Sequence, residues 1–240
     1  MWLIAPPLLS QGLAQLVKAM LTIASALKIP GFKFQCDRIS PEDLKMQIGH
    51  SYSMQDAPTW LNGQLLIAMP SMEDPRFGRA VLYICTHSAE GAMGLIINRA
   101  FGDVRFADLM GQLGIEGSSP QDRPVHFGGP VDSSRGFVLH SSDFQADQTL
   151  VVDGDVALTA TKDILQAIVE GTGPNRAIFA LGYAKWSAGQ LDSEIQANAW
   201  LTAPADHNLI FDPNLDKKWE RAIGCLGFDL AMLSSTAGHA

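Results

Sequence analysis

Along the chain, apolar residues fall into two patterns: short continuous runs between turn residues, and stretches in which they recur every three or four positions. The run Leu65-Leu66-Ile67-Ala68-Met69 lies between Asn62-Gly63 and Pro70 and predicts a buried strand. Ala80 to Cys85, rich in β-branched and aromatic residues, predicts a second, and Gly94 to Asn98 a third. Their connections are short, which favours antiparallel pairing, because a parallel crossover needs a dozen or more residues. Helical spacing at Phe106, Leu109, Met110 and Leu113 predicts a helix closed by Gly114. Beyond the loop Phe127-Gly128-Gly129-Pro130, strands are predicted from Gly136 to His140 and near Leu150-Val151-Val152. A second helix carries Ile164, Leu165, Ile168 and Val169 and stops at Gly171, and Ala177 to Tyr183 reads as a central strand. A third helix is predicted from Ser187, with Ser187 and Gln190 as a capping box. A fourth starts at Asp212-Pro213, with Leu215, Trp219, Ala222 and Leu226 along one face. The order β-β-β-α-β-β-α-β-α-α points to an α+β fold in one domain over residues 57–240.

Residues 1–56 read as a separate extension and linker. Leu9, Leu13, Leu16, Met20, Ile23 and Leu27 form one helical stripe, followed by the breaker Ile29-Pro30-Gly31 and a polar stretch to Asp56. A signal peptide would want a basic start, which Met1-Trp2-Leu3-Ile4 lacks. A membrane span would want about 20 predominantly apolar residues, and Gln11, Gln15 and Lys18 interrupt the run. The favoured expectation is an amphipathic helix, or translated sequence upstream of an initiator at Met54, with no membrane span.

Composition adds charge and compartment. The net charge is −8, and 47% of residues are hydrophobic, enough for a real core without disulfides. Cys36, Cys85 and Cys225 are odd in number and far apart, which suits a reducing, cytoplasmic setting. An acidic surface repels phosphate backbones, so direct nucleic-acid binding is disfavoured. No Lys/Arg group is denser than Lys217-Lys218 with Arg221.

Candidate chemistry is sparse. Phosphate-loop, dinucleotide-turn and zinc-helix motifs are absent, and His50, His87, His126, His140, His207 and His239 show no metal-ligand spacing, so neither a metal nor a cofactor is expected. Lys185-Trp186-Ser187-Ala188-Gly189 lacks the first small residue of a nucleophile elbow and reads as a helix start. Cys85 and His87, two apart at a strand end, are expected on one face, where an imidazole can activate a thiol as nucleophile or redox sensor. The plainer reading is a buried strand cysteine beside a loop-capping histidine. Gly128 and Gly129 offer either a backbone cradle for an anion or a close approach of two strands, the latter favoured. Glu194 and Asn198, four apart on the third helix, are binding candidates or an ordinary solvated face.

Several stretches, in order, resemble the AlgH/YqgE family of bacterial proteins. They are Gly63 to Pro70, Phe77, Arg79 to Asn98 with Tyr83-Ile84-Cys85-Thr86-His87 and Glu90-Gly91-Ala92-Met93-Gly94, and His126 to Val131. Gly182-Tyr183-Ala184, Trp186, Gly189-Gln190-Leu191, Glu194, Asn198-Ala199-Trp200-Leu201 and the Trp219 helix complete the set. Ser187-Ala188 stands where members often have Gly-Pro. The resemblance implies a cytosolic protein with a mixed, largely antiparallel coiled sheet packed by about four helices. One member is linked to control of alginate production, hence a label of transcriptional regulator; no catalytic residues are established for the family. The expectation is therefore a regulatory or interaction protein, leaning non-enzymatic, with a protein partner or small ligand and an indirect effect on transcription. An enzyme or redox sensor at Cys85 and His87 is the alternative.

Overall fold

The computed structural model describes residues 60–115, 117 and 123–227; the expected N-terminal helix, its linker and Met54 lie outside the described residues. The chain first lays down β1 (Gln64–Ala68), β2 (Val81–Ser88), β3 (Gly91–Ile96) and β4 (Ala100–Arg105), then helix α1 (Phe106–Gln112). Four strands follow: β5 (Pro124–Phe127), β6 (Val131–Ser141), β7 (Leu150–Val151) and β8 (Val156–Thr159). Helix α2 (Lys162–Glu170) leads into β9 (Ala177–Ser187), and α3 (Gln190–Gln196) into β10 (Trp200–Pro204). Helices α4 (His207–Ile210) and α5 (Leu215–Cys225) end the described chain. The fold is α+β, and among the described residues no helix is long and apolar enough to cross a membrane.

Strand β9 organises the sheet, whose order is β10-β1-β2-β3-β9-β6-β8-β7. Its last four residues pair antiparallel with β3, while Phe179 to Leu181 pair parallel with β5. Its other edge pairs antiparallel with β6 from Ala177 to Tyr183. One strand thus belongs to both halves of a curled sheet, and every other pairing between strands is antiparallel. The expected end of this strand at Tyr183 is too early, because Ala184 and Trp186 continue the inward alternation past Gly182.

Helix-face spacing located the packing elements well. Ile164, Leu165, Ile168 and Val169 are all buried, against Phe179, Val138 and Val125, and each such side chain is worth about 1.5–3 kcal/mol when removed from water. Trp219, Ala222 and Ile223 of α5 pack in one core cluster with Leu65, Ile67, Val81 and Tyr83 on one face of the sheet. On the opposite face, α3 lays Leu191 over Leu82, Ile84, Trp186 and Trp200.

Helix starts are where the expectation fails. Ser187 ends β9 and is not a cap; α3 begins after Gly189, and only half of the expected box forms, Gln190 Oε1 accepting from the Ser187 N–H at 3.0 Å. Asp212 accepts from the Asn214 N–H at 2.7 Å, a turn that moves the cap of α5 on to Asn214, which accepts from Lys217 N–H at 3.4 Å. Strands β4, β5, β8 and β10 and the single turn of α4 are additional to the expected elements.

Candidate functional site

The spacing of Cys85 and His87 predicts one shared face, but a β-bulge turns the two apart. Strand β2 pairs Ile84 with Gly94 and then Thr86 with Met93, so Cys85 is an extra residue and the alternation inverts after it. Cys85 packs with Tyr83 and Leu95 in the core beneath α5, and its Sγ donates weakly to Tyr83 O at 3.7 Å. Burial pushes the thiol well above its ordinary pKa, the reverse of what a thiolate nucleophile needs. His87 instead shares a face with Ala92 and Trp186. Its Nδ1 accepts from the Leu61 N–H at 3.2 Å, Nε2 lies 3.6 Å from Asp192 Oδ2, and Trp60 meets the ring edge-on at 5.2 Å.

The glycine pair sits at a crossing of backbones. A Cβ on Gly128 would lie 2.3 Å from Gly182 O, and one on Gly129 would lie 2.2 Å from the Tyr183 carbonyl carbon. The Gly128 N–H donates to Leu181 O at 2.9 Å, and its carbonyl accepts from Ile96 N–H at 2.9 Å. With its N–H so engaged, Gly128 serves strand contact.

Glu194 clasps two tryptophans. Its Oε2 accepts from Trp186 Nε1 at 2.9 Å and Trp200 Nε1 at 2.8 Å, while Oε1 accepts from Gln190 Nε2 at 2.9 Å. Asn198 falls beyond the end of α3 rather than on its face, in the left-handed conformation at φ 57°. Its N–H donates to Ile195 O and that of Ala199 to Glu194 O, each at 2.9 Å, closing the helix with the paired bonds of a Schellman motif. The structure therefore does not bring Glu194 and Asn198 together on one helix face.

A different group converges in a polar cleft of about 390 Å³. The cleft is lined by Arg123 before β5, Asn175, Arg176 and Ala177 entering β9, Asn208 of α4, and Phe211, Asp212 and Pro213 between α4 and α5. Arg176 Nη1 donates to Asn208 Oδ1 at 3.1 Å and His207 O at 3.4 Å. Arg123 makes no hydrogen bond or ion pair with any described residue, and its Nε is shielded from solvent. The acidic neighbours are already engaged. Asp212 is paired with Arg221 and accepts from Asn214 N–H, and Asp143 accepts from Asn175 and Ser141.

Next to Phe211, a second basic group is fully enclosed. Lys218 is buried and donates to Ile210 O at 2.6 Å and Ile97 O at 2.8 Å. Desolvation lowers its pKa to about 7. His126 on β5 is also buried, with Nδ1 unpartnered; desolvation, and next the Lys218 charge, lower its pKa to about 4. Lys218 was legible in the sequence, since Leu215, Lys218, Trp219 and Ala222 follow helical spacing and place it on the apolar face. Arg123 and Arg176 gave no such signal.

Comparison with known proteins is consistent along the described chain. A family described as AlgH-like matches residues 65–231. The UPF0301 protein of Methylobacterium nodulans is 55% identical over 193 residues, covering 77% of this chain and 92% of that one. That of Rhodospirillum rubrum is 53% identical over 189 residues, covering 78% and 98%. The solution structure of the AlgH protein from Pseudomonas aeruginosa is 42% identical with a TM-score of 0.64, covering 78% of this chain and all of that one. A crystal structure from Corynebacterium diphtheriae, 23% identical with a TM-score of 0.59 over 75% and 93% of the two chains, shares the fold.

Proposed function

The chain belongs to the AlgH-like family, and from that premise we propose that it is a non-enzymatic regulatory protein of the cytosol that responds to a small anion held in the arginine cleft. The observation that carries this reading is Arg123. A guanidinium keeps its charge at any physiological pH and carries five N–H donors, so one that is half-buried and unpaired among the described residues calls for an anionic partner. Arg176 adds a second permanent charge in the same cleft, oriented through Asn208. A cleft of about 390 Å³ with half-buried Arg123 and exposed Arg176 and Asn208 suits a small molecule, and the net charge of −8 opposes nucleic acid at long range. Any control of transcription then runs through a partner protein whose affinity depends on the bound anion.

The test is calorimetric titration of the full chain with sulfate, phosphate and succinate. At least one anion should bind at millimolar concentration or better. Arg176→Ala should weaken it by about 2 kcal/mol, the scale of a charge-assisted hydrogen bond. An absence of heat from all three, or heat unchanged in the variant, would rule the reading out.

A further inference from the structure

The donors and charges of the cleft narrow the kind of anion it takes. Arg123 has all its N–H groups free of described acceptors, and the Arg176 guanidinium uses only Nη1 among the described residues. Asn208 turns its Oδ1 to Arg176, which leaves its NH2 group as a further donor. The carboxylates at the cleft do not answer these charges, because Asp212 is held by Arg221 and the Asn214 N–H. Asp143 is likewise held by Asn175 and Ser141. Two positive charges unanswered by any described carboxylate ask for a dianion, and this many donors ask for more acceptor sites than the two oxygens of one carboxylate. The cleft, about 390 Å³ and open to solvent, leaves room for an organic group beside an inorganic anion. Ala177, Phe211 and Pro213 complete the lining and are its apolar members.

We infer that, granted the anion-binding reading above, the ligand is a small phosphate monoester. Its dianionic phosphoryl group engages Arg123, Arg176 and the Asn208 amide, and its organic part lies along Phe211 and Pro213. A dicarboxylate also carries two charges, but it separates them and has no single centre for both arginines.

Phenyl phosphate is the probe, because benzoate and inorganic phosphate each supply half of it. Titrated calorimetrically into the full chain at pH 7.5, phenyl phosphate should bind about tenfold or more tighter than either half. Arg123→Gln should weaken it about 30-fold, the effect of losing one charge-assisted pair. Arg123 has no partner among the described residues, so this variant should keep or slightly raise the ligand-free Tm. Between pH 7.5 and 5.0 a phosphate monoester loses most of its dianion, its second pKa being about 6, so affinity should drop about tenfold. Sulfate is dianionic throughout and registers any titration of His207, Asp212 or Asp143 around the cleft, alongside the constant charges of Arg123, Arg176 and Arg221. Its affinity should change less than about threefold. Benzoate or succinate binding as tightly as phenyl phosphate, with the same dependence on Arg123, would overturn the phosphate assignment and leave the anion reading standing. Phenyl phosphate binding that ignores Arg123→Gln would overturn the location, and an absence of binding by every anion would overturn both.

Discussion

Lys218 shows how much one residue's surroundings decide. Its pKa falls from 10.5 to about 7 because burial disfavours the ammonium, so the folded state holds the amine neutral where the unfolded chain protonates it. Stability from this group is complete above pH 10.5 and is lost as pH falls towards about 7, by roughly 1.4 kcal/mol per pH unit. Raising pH from 7 to 9 should therefore add up to about 3 kcal/mol to the wild-type unfolding free energy. Lys218→Met should flatten that rise in urea denaturation at the two pH values; an unchanged slope would show that Lys218 stays charged in the fold. His126 acts in the same sense on the acid side, its contribution lost as pH falls from 6.5 towards about 4. The sequence showed Lys218 only as part of the basic group with Lys217 and Arg221; its helical spacing with Trp219 and Ala222 went unused, and its acceptor at Ile97 lies 121 positions away. Cys85 and His87 teach the converse. Their spacing was read correctly and their geometry was not, because one unpaired residue in a strand inverts every later side chain.

Among the elements, β9 carries most of the consequences. Its kink at Gly182, φ 74°, lets β9 pass against the Gly128-Gly129 turn, where a Cβ on Gly182 would stand 2.4 Å from Gly129 O. Overpacking and left-handed strain together put the cost of Gly182→Ala at about 3 kcal/mol or more. Gly111→Ala is the control: it lies within α1 with open space around its Cβ and should gain up to about 1 kcal/mol. Urea midpoints of the two variants check this, and equal midpoints would mean that the crossing relaxes freely. The glycine pair was legible as a close approach, whereas its partner strand was not, because backbone contacts 53 residues apart leave no pattern in side chains. Strand β4 was missed for a related reason. Ala100–Arg105 is mostly exposed, so no inward alternation marks it.

For the whole molecule, the cleft is a product of topology. Parallel pairing of β5 with β9 brings the start of one strand beside the start of the other, and so Arg123 beside Asn175 and Arg176. The α4–α5 corner, tied down by Lys218 through Ile210 O, supplies Asn208 and Phe211. Each of these segments alone reads as an ordinary polar turn in an acidic chain, which is why charge and motif screening passed over them. The helix stripes and apolar runs, by contrast, announced the α+β architecture, because burial of a face is a local property of the sequence. The most direct measurement is backbone amide NMR of the isotope-labelled full chain titrated with phenyl phosphate. The shifts should be largest at Arg123, Asn175, Arg176, Ala177, Asn208 and Phe211. Shifts centred on His87 or on the Gly128-Gly129 crossing, or none at saturating concentration, would contradict the assignment of the arginine cleft as the working site.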